Sequence, residues 1–410
     1  MRFRLITTSV AIFLLAASAI GASAQDGKET HLVIDRADPI AGLAAQASTG
    51  RTALEFEPDH GFLRALLQYL SIDTHTQILV FSKTSLQDKW IGPSAPRAIY
   101  FNDRVAVGAV QNSSVLEIMA PASMGYVFYT LENKSAGSPR FTKHEGADCG
   151  RCHGADNLEP GLIVASTPVT RDGTPVFIPS QRPPRLFEFT DHTTPVGERW
   201  GGWYVTGSHA GQPHLGNGAF TYDDAGRPQI QNADAFSVTD LSGYFDTSRY
   251  LEPTSDIVAL MVFEHQAKMT NMLLAAGVMA RRTNHIAAAA VEDIVAYMLF
   301  ADEAPLIGPV SGGEAFQSAF AGSGQRDLKR RSLRDFDLRT RLFKYPLSYM
   351  IYSPVFESLP PFAKQAIYAR LLDILEGRDM PPRFARLSSE DRRNIMEILR
   401  ATKPDFGAAN

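Results

Sequence analysis

Gln77-Ile78-Leu79-Val80-Phe81, Arg97-Ala98-Ile99-Tyr100-Phe101, Ser114-Val115-Leu116-Glu117-Ile118 and Tyr126-Val127-Phe128-Tyr129-Thr130-Leu131 are four short runs of branched and aromatic residues. Such side chains pack well on a pleated surface, and turn formers such as Gly92-Pro93 and Asn102-Asp103 divide the runs. Residues 75–131 therefore predict an antiparallel sheet or a small sandwich. Upstream, large apolar residues at 62, 63, 66, 67 and 70 recur at helical spacing. Downstream, a loop around Glu132 to Ser138 leads into a Pro-, Gly- and Thr-rich stretch over 155–250, with strand-like pieces at 161–165 and 200–206. Helical periodicity marks 255–276, 286–300, 361–376 and 389–400, and Pro309 to Gly324 reads as a Gly/Ser-containing linker. The expected fold class is α+β, with a β-rich N-terminal part over 25–138, a central region over 139–308 and a mainly helical C-terminal region over 309–410.

The first residues carry an address. Met1-Arg2-Phe3-Arg4 is a short basic segment, Leu5 to Gly21 is uncharged and apolar, and Ala22-Ser23-Ala24 is a small-residue cleavage site. This is the pattern of a secretory signal peptide cut after Ala24, too short and wrongly flanked for a retained span. No cysteine stands at the cut to take a lipid, and no later stretch is apolar enough to span a bilayer. The mature protein is expected to be soluble and periplasmic. The formal net charge of the chain is −4, and losing Arg2 and Arg4 makes it more negative, which argues against nucleic acid as a partner.

The only two cysteines lie in Cys149-Gly150-Arg151-Cys152-His153. C-x-x-C-H is the spacing of covalent haem attachment. The two thiols add to the porphyrin vinyl groups, and the adjacent imidazole reaches the iron as its proximal ligand. Gly154 then lets the backbone leave the ring without a Cβ in the way. One haem c is expected, held by Cys149, Cys152 and His153. A Cys-x-x-Cys pair has two other uses. A zinc site wants two more soft ligands, and no other cysteine exists to supply them. A thioredoxin-like redox disulfide wants a βαβ setting, whereas Gly146-Ala147-Asp148 reads as loop, and a redox or structural disulfide remains the alternative to haem.

What closes the far side of the iron decides the chemistry. A methionine raises the potential, a second histidine lowers it, and an open position admits substrate. No methionine lies between Met124 and Met261. Met119 and Met124 lie upstream, in or beside a strand, where core packing is the expectation. Met380, in Gly377-Arg378-Asp379-Met380-Pro381-Pro382-Arg383-Phe384, is the first distal candidate. His265 is the second, on a helix opened by Pro253-Thr254-Ser255-Asp256 and on a face with Val258, Met261, Val262, Met269 and Met272. A histidine on such a face serves either as a ligand or as a core residue with its ring nitrogens satisfied.

Three further segments have two uses each. Arg199-Trp200-Gly201-Gly202-Trp203-Tyr204-Val205-Thr206-Gly207-Ser208-His209, continuing to His214-Leu215-Gly216-Asn217, serves as a wall against a flat cofactor or as an aromatic hairpin in a core. In the first use Arg199 or Trp200 would bond a propionate, with His209 or His214 near the iron. Arg182-Pro183-Pro184-Arg185 would neutralise propionates or form a surface turn. Arg326 to Lys344 is strongly basic at partly helical spacing, and would dock an acidic redox partner or form a solvated helix face.

The Met380 stretch, followed by Leu387-Ser388-Ser389-Glu390-Asp391 and a helix with Ile395, Ile398 and Leu399 on one face, resembles the ligand loop and C-terminal helix of class I cytochromes c. The departure is the separation from the C-x-x-C-H motif, far longer than in a small cytochrome. Segments such as Ile99-Tyr100-Phe101-Asn102-Asp103, Val127-Phe128-Tyr129-Thr130-Leu131 and Trp200-Gly201-Gly202-Trp203-Tyr204-Val205-Thr206-Gly207 resemble large bacterial cytochrome c domain-containing proteins, a group that implies one haem and no particular activity. The function expected is periplasmic electron transfer through one covalent haem, between donor and acceptor proteins. The alternatives are a peroxidase-like haem oxidoreductase with an open distal site, using His209 or His214 for proton transfer, and a haem sensor or interaction subunit.

Overall fold

The computed structural model describes residues 38–406 apart from 53, 145–148, 150–152, 154–160, 177–187, 224–227 and 232–236. Cys152, the signal segment 1–24 and the 182–185 segment lie outside the described residues.

The β-rich texture forms one seven-stranded sheet rather than a sandwich. Its strands are β1 (Ile78–Val80), β2 (Arg97–Phe101), β3 (Ala106–Ala109), β4 (Val115–Ala122), β5 (Gly125–Glu132), β6 (Phe141–His144) and β9 (Trp203–Tyr204), in the order β6-β5-β4-β3-β2-β1-β9. Every pairing in it is antiparallel. The β2–β3 connection is short because Asn102 caps it: its Oδ1 accepts from the Arg104 and Val105 amides at 2.9 and 3.1 Å. β3 and β6 were not expected. Ala106-Val107-Gly108-Ala109 and Phe141-Thr142-Lys143-His144 lack a dense branched or aromatic run, and their neighbours supply the hydrogen-bonding template instead. Two small ribbons, β7 (Ala165–Ser166) with β8 (Glu188–Phe189) and β10 (Ala219–Tyr222) with β11 (Pro228–Gln231), lie outside the sheet.

Strand alternation gives the sheet two different faces. Ala98, Tyr100, Val107, Leu116, Ile118, Ala120, Tyr129 and Leu131 point into one core, completed by Leu43 of α1 (Ala41–Ser48) and Leu63, Leu66 and Leu67 of α2 (Leu63–Tyr69). Ile78, Val80, Phe101 and Ala106 point the other way, into a larger core dominated by helices. At its centre runs α3 (Ile257–Thr283), whose side chains from Ile257 to Ala267 are all buried. A helix buried around its whole circumference runs inside a core, and its few polar side chains there need partners. Asp256 starts it, accepting the Ala259 amide at 2.8 Å, and Asn284 stops it at φ 51°.

The C-terminal region is mainly helical: α4 (Ala288–Met298), α5 (Glu314–Gly322), α6 (Pro354–Glu357), α7 (Pro361–Leu375) and α8 (Ser389–Thr402). The linker expected at 309–324 is corrected by α5. Its Phe316 and Phe320 stand one turn apart and are buried, which stabilises a short helix despite flanking glycines. The basic segment is corrected as well: residues 326–344 form turns and bends, not a helix. Arg326, Lys329, Arg331, Arg334 and Arg341 are tied to Asp335, Glu397, Asp327, Asp103 and Asp391. Ser388 and Asp391 form the capping box of α8. Among the described residues no helix is long and apolar enough to cross a membrane.

Candidate functional site

Cys149 and His153 are both helical and half-buried. The two stand four positions apart in the chain. The His153 ring is fixed by its Nδ1, which lies 2.6 Å from the Gly161 carbonyl oxygen. A carbonyl only accepts, so Nδ1 carries the hydrogen and the Nε2 lone pair remains for another purpose. Burial, the largest influence, holds the imidazole below its ordinary pKa, so it is a neutral base rather than a cation.

Gly161 is itself held in place. Asn271 of α3 accepts the Leu162 amide at 3.0 Å on Oδ1 and donates Nδ2 to the Leu162 carbonyl at 2.9 Å. The Tyr126 hydroxyl of β5 donates to the same Oδ1 at 2.6 Å. A Cβ on residue 161 would collide with the Asn271 amide and lie 2.7 Å from Tyr126 Cε2, so only glycine permits this approach. Tyr126, Gly161 and Asn271 were missed at the sequence level. The partners are 145 and 109 positions apart, and only the isolated Pro160-Gly161 step hinted at a backbone feature.

His153 sits against β5. Its ring centroid is 5.7 Å from that of Phe128, at 46°. Phe128 is in register with Met119 of β4 on one side and His144 of β6 on the other. Glu117 pairs with Arg97 at 2.7 Å, although Arg97 Nε and Glu117 Oε2 lack an aligned hydrogen bond. His144 Nε2 meets Thr130 Oγ1 at 2.9 Å. Met119 was expected in core packing. It is half-buried and, among the described residues, joins neither core, while Met124 is exposed at the β4–β5 turn.

These residues suit a covalently attached haem. A thiol and an imidazole stand four residues apart, Nε2 has no hydrogen-bond partner among the described residues, and a half-buried strand face adjoins the ring. Cys152 would supply the second thioether. Among the described residues no group of three or more His, Cys, Asp or Glu could hold a metal ion. Haem iron asks less of a protein, since the porphyrin supplies four of its nitrogens.

The other candidates lie elsewhere. His265 is fully buried among His192, Tyr297, Phe300 and Ser348. Its Nδ1 is 2.8 Å from His192 Nδ1 and its Nε2 is 2.7 Å from Ser348 Oγ, so both ring nitrogens are engaged. Burial lowers its pKa to about 3. None of these neighbours is among the described partners of His153. Met380 packs half-buried against the helical core, and the adjacent Asp379 pairs with Arg370 of α7, which also holds Glu292 of α4.

The Trp200 segment is packed into the core, and its Trp203-Tyr204 forms an edge strand beside β1 rather than a hairpin. Arg199 spends its donors internally, on the Thr194 and His192 carbonyls and, at 3.3 Å, on Glu264 Oε2. Glu264 is fully buried and its carboxyl is pushed up to about 7, burial outweighing the arginine. His209 and His214 are buried ring to ring at 4.7 Å, with Trp200 against His214. Burial, then the neighbouring His209, takes His214 down to about 3.

No family model, curated protein or solved structure matches the chain.

Proposed function

We propose that the protein is a periplasmic monohaem c-type electron-transfer protein, with Cys149 and Cys152 attaching the haem and His153 as its proximal ligand. The observation that carries this reading is the His153–Gly161 hydrogen bond, which commits Nδ1 and leaves Nε2, four residues after Cys149, without a hydrogen-bond partner among the described residues. Bound haem supplies one-electron iron chemistry. The chain's contribution is to orient His153, to raise the basicity of its Nε2 through the Nδ1–H contact, and to limit access to the metal.

Electron transfer is favoured over a haem enzyme because the histidines suggested for proton transfer, His209 and His214, contact each other, and His214 also contacts Trp200. Neither is among the described partners of His153. Donor and acceptor proteins are the partners proposed.

The test is expression with a c-type haem maturation system and export. The purified chain is expected to keep one haem per polypeptide on a denaturing gel and to give the pyridine haemochrome spectrum of a two-thioether haem. Cys149→Ser with Cys152→Ser should abolish both. Colourless protein from the same cells would overturn the reading.

A further inference from the structure

The sheet face around Phe128 is incompletely covered. On β4 and β5, Leu116, Ile118, Ala120, Tyr129 and Leu131 enter the core beneath the sheet. Val115, Glu117, Met119, Tyr126, Phe128 and Thr130 point the other way and stay half-buried. At one end of that face Tyr126 is claimed by Asn271 of α3. At another Arg97 crosses Gly108, whose missing side chain leaves it room, to reach Glu117. Between these closures Met119 and Phe128 join neither core among the described residues. Apolar side chains left half-buried together on a strand pair, outside both cores, leave room for a cover. The tether at Cys149 and the His153 ring over Phe128 supply one.

We propose that the haem lies against this face and that the thioether sulfur of Met119 is the sixth ligand to its iron. The inference rests on the haem reading above. Met119 is in direct register with Phe128, so the two side chains are nearest cross-strand neighbours on one face, with Cβ atoms roughly 5 Å apart. His153 is already in ring contact with Phe128. A thioether carries no proton and gives up no hydrogen bond on ligation. His265, by contrast, would have to release a buried contact at 2.8 or 2.7 Å. Met380 would have to leave the helical core against which it packs. His144, the remaining group on this face, already meets Thr130 through Nε2. Methionine ligation favours ferrous iron, so a high-potential carrier follows.

The experiment uses the holoprotein. Wild type should show a low-spin ferric spectrum with the weak far-red charge-transfer band of methionine-ligated haem, and Met380→Ala should keep it. Met119→Ala should lose the band, become high-spin and bind carbon monoxide when reduced. Met119→His should restore a low-spin spectrum, now bis-histidine, with a lower potential, which separates lost ligation from a damaged fold. A band that survives Met119→Ala, a band lost in Met380→Ala instead, or a bis-histidine wild type abolished by His144→Ala would each overturn the assignment. Wild type with covalent haem but an indifferent Met119 removes this inference alone. Wild type without covalent haem removes the functional reading and this inference with it.

Discussion

At the scale of single residues, the site depends on a glycine more than on a charged group. Gly161 presents its carbonyl to His153 Nδ1 while its α-carbon lies against Asn271 and Tyr126. Gly161→Ala must push Asn271 or the 161–162 backbone away, at about 1–3 kcal/mol for an overpacked site. With the proposed haem attached, the expected outcome is a lower melting temperature together with a changed reduction potential, because the displaced carbonyl no longer orients the ring. Asn271→Ala should move the potential in the same direction without the steric cost. Unchanged potentials in both variants would show that the carbonyl contact does not tune His153. The C-x-x-C-H motif was legible because its partners are adjacent in the chain. Its clamp was not, because Tyr126, Gly161 and Asn271 meet only after the sheet has packed on α3.

At the scale of elements, periodicity found the long helices and composition hid the short pieces. The pattern at 255–276 became α3, with Asp256 at its start, because a long apolar surface overrides every local ambiguity. Residues 309–324 misled, since two phenylalanines one turn apart outweigh a few glycines once a core is there to receive them. β3 and β6 were hidden for the same reason: strand pairing is decided by the neighbour. Asp256 joins these elements. It accepts the Ala259 amide and also the Gly313 amide, tying the start of α3 to the segment before α5. Asp256→Ala removes the cap and leaves the Gly313 amide without its carboxylate. A loss of about 1–2 kcal/mol is expected in denaturant titrations, with Asp256→Asn recovering most of it. Equal losses in the two variants would mean that the cap geometry contributes nothing.

At the scale of the whole molecule, pH dependence reports how the core stores ionisable groups. Glu303 is buried beyond α4, where its carboxylate accepts the Leu342 amide at 2.8 Å and its carbonyl accepts from Arg386 at 2.6 Å. Burial raises its carboxyl from 4.5 to about 7, against the Leu342 amide and Arg199, Arg341 and Arg386. The folded state therefore binds a proton between pH 4.5 and 7 that the unfolded chain has released. This contribution is full below pH 4.5 and is lost as pH rises through 7. His214 acts in the opposite sense. Its folded pKa of about 3 means that the unfolded chain takes up the proton below 6.5, so its contribution is lost as pH falls. Across their shared window, from 4.5 to 6.5, the two slopes cancel. Glu303→Gln keeps an acceptor for Leu342 and removes the carboxylate's titration. The variant should match wild type at pH 4.5 and exceed it by about 3 kcal/mol at pH 8. Within the shared window its stability should rise with pH by about 1.4 kcal/mol per unit relative to wild type. Chemical denaturation of both proteins at pH 4.5, 5.5, 6.5 and 8 measures this. A stability difference that stays constant across those values would show that Glu303 does not change protonation on folding.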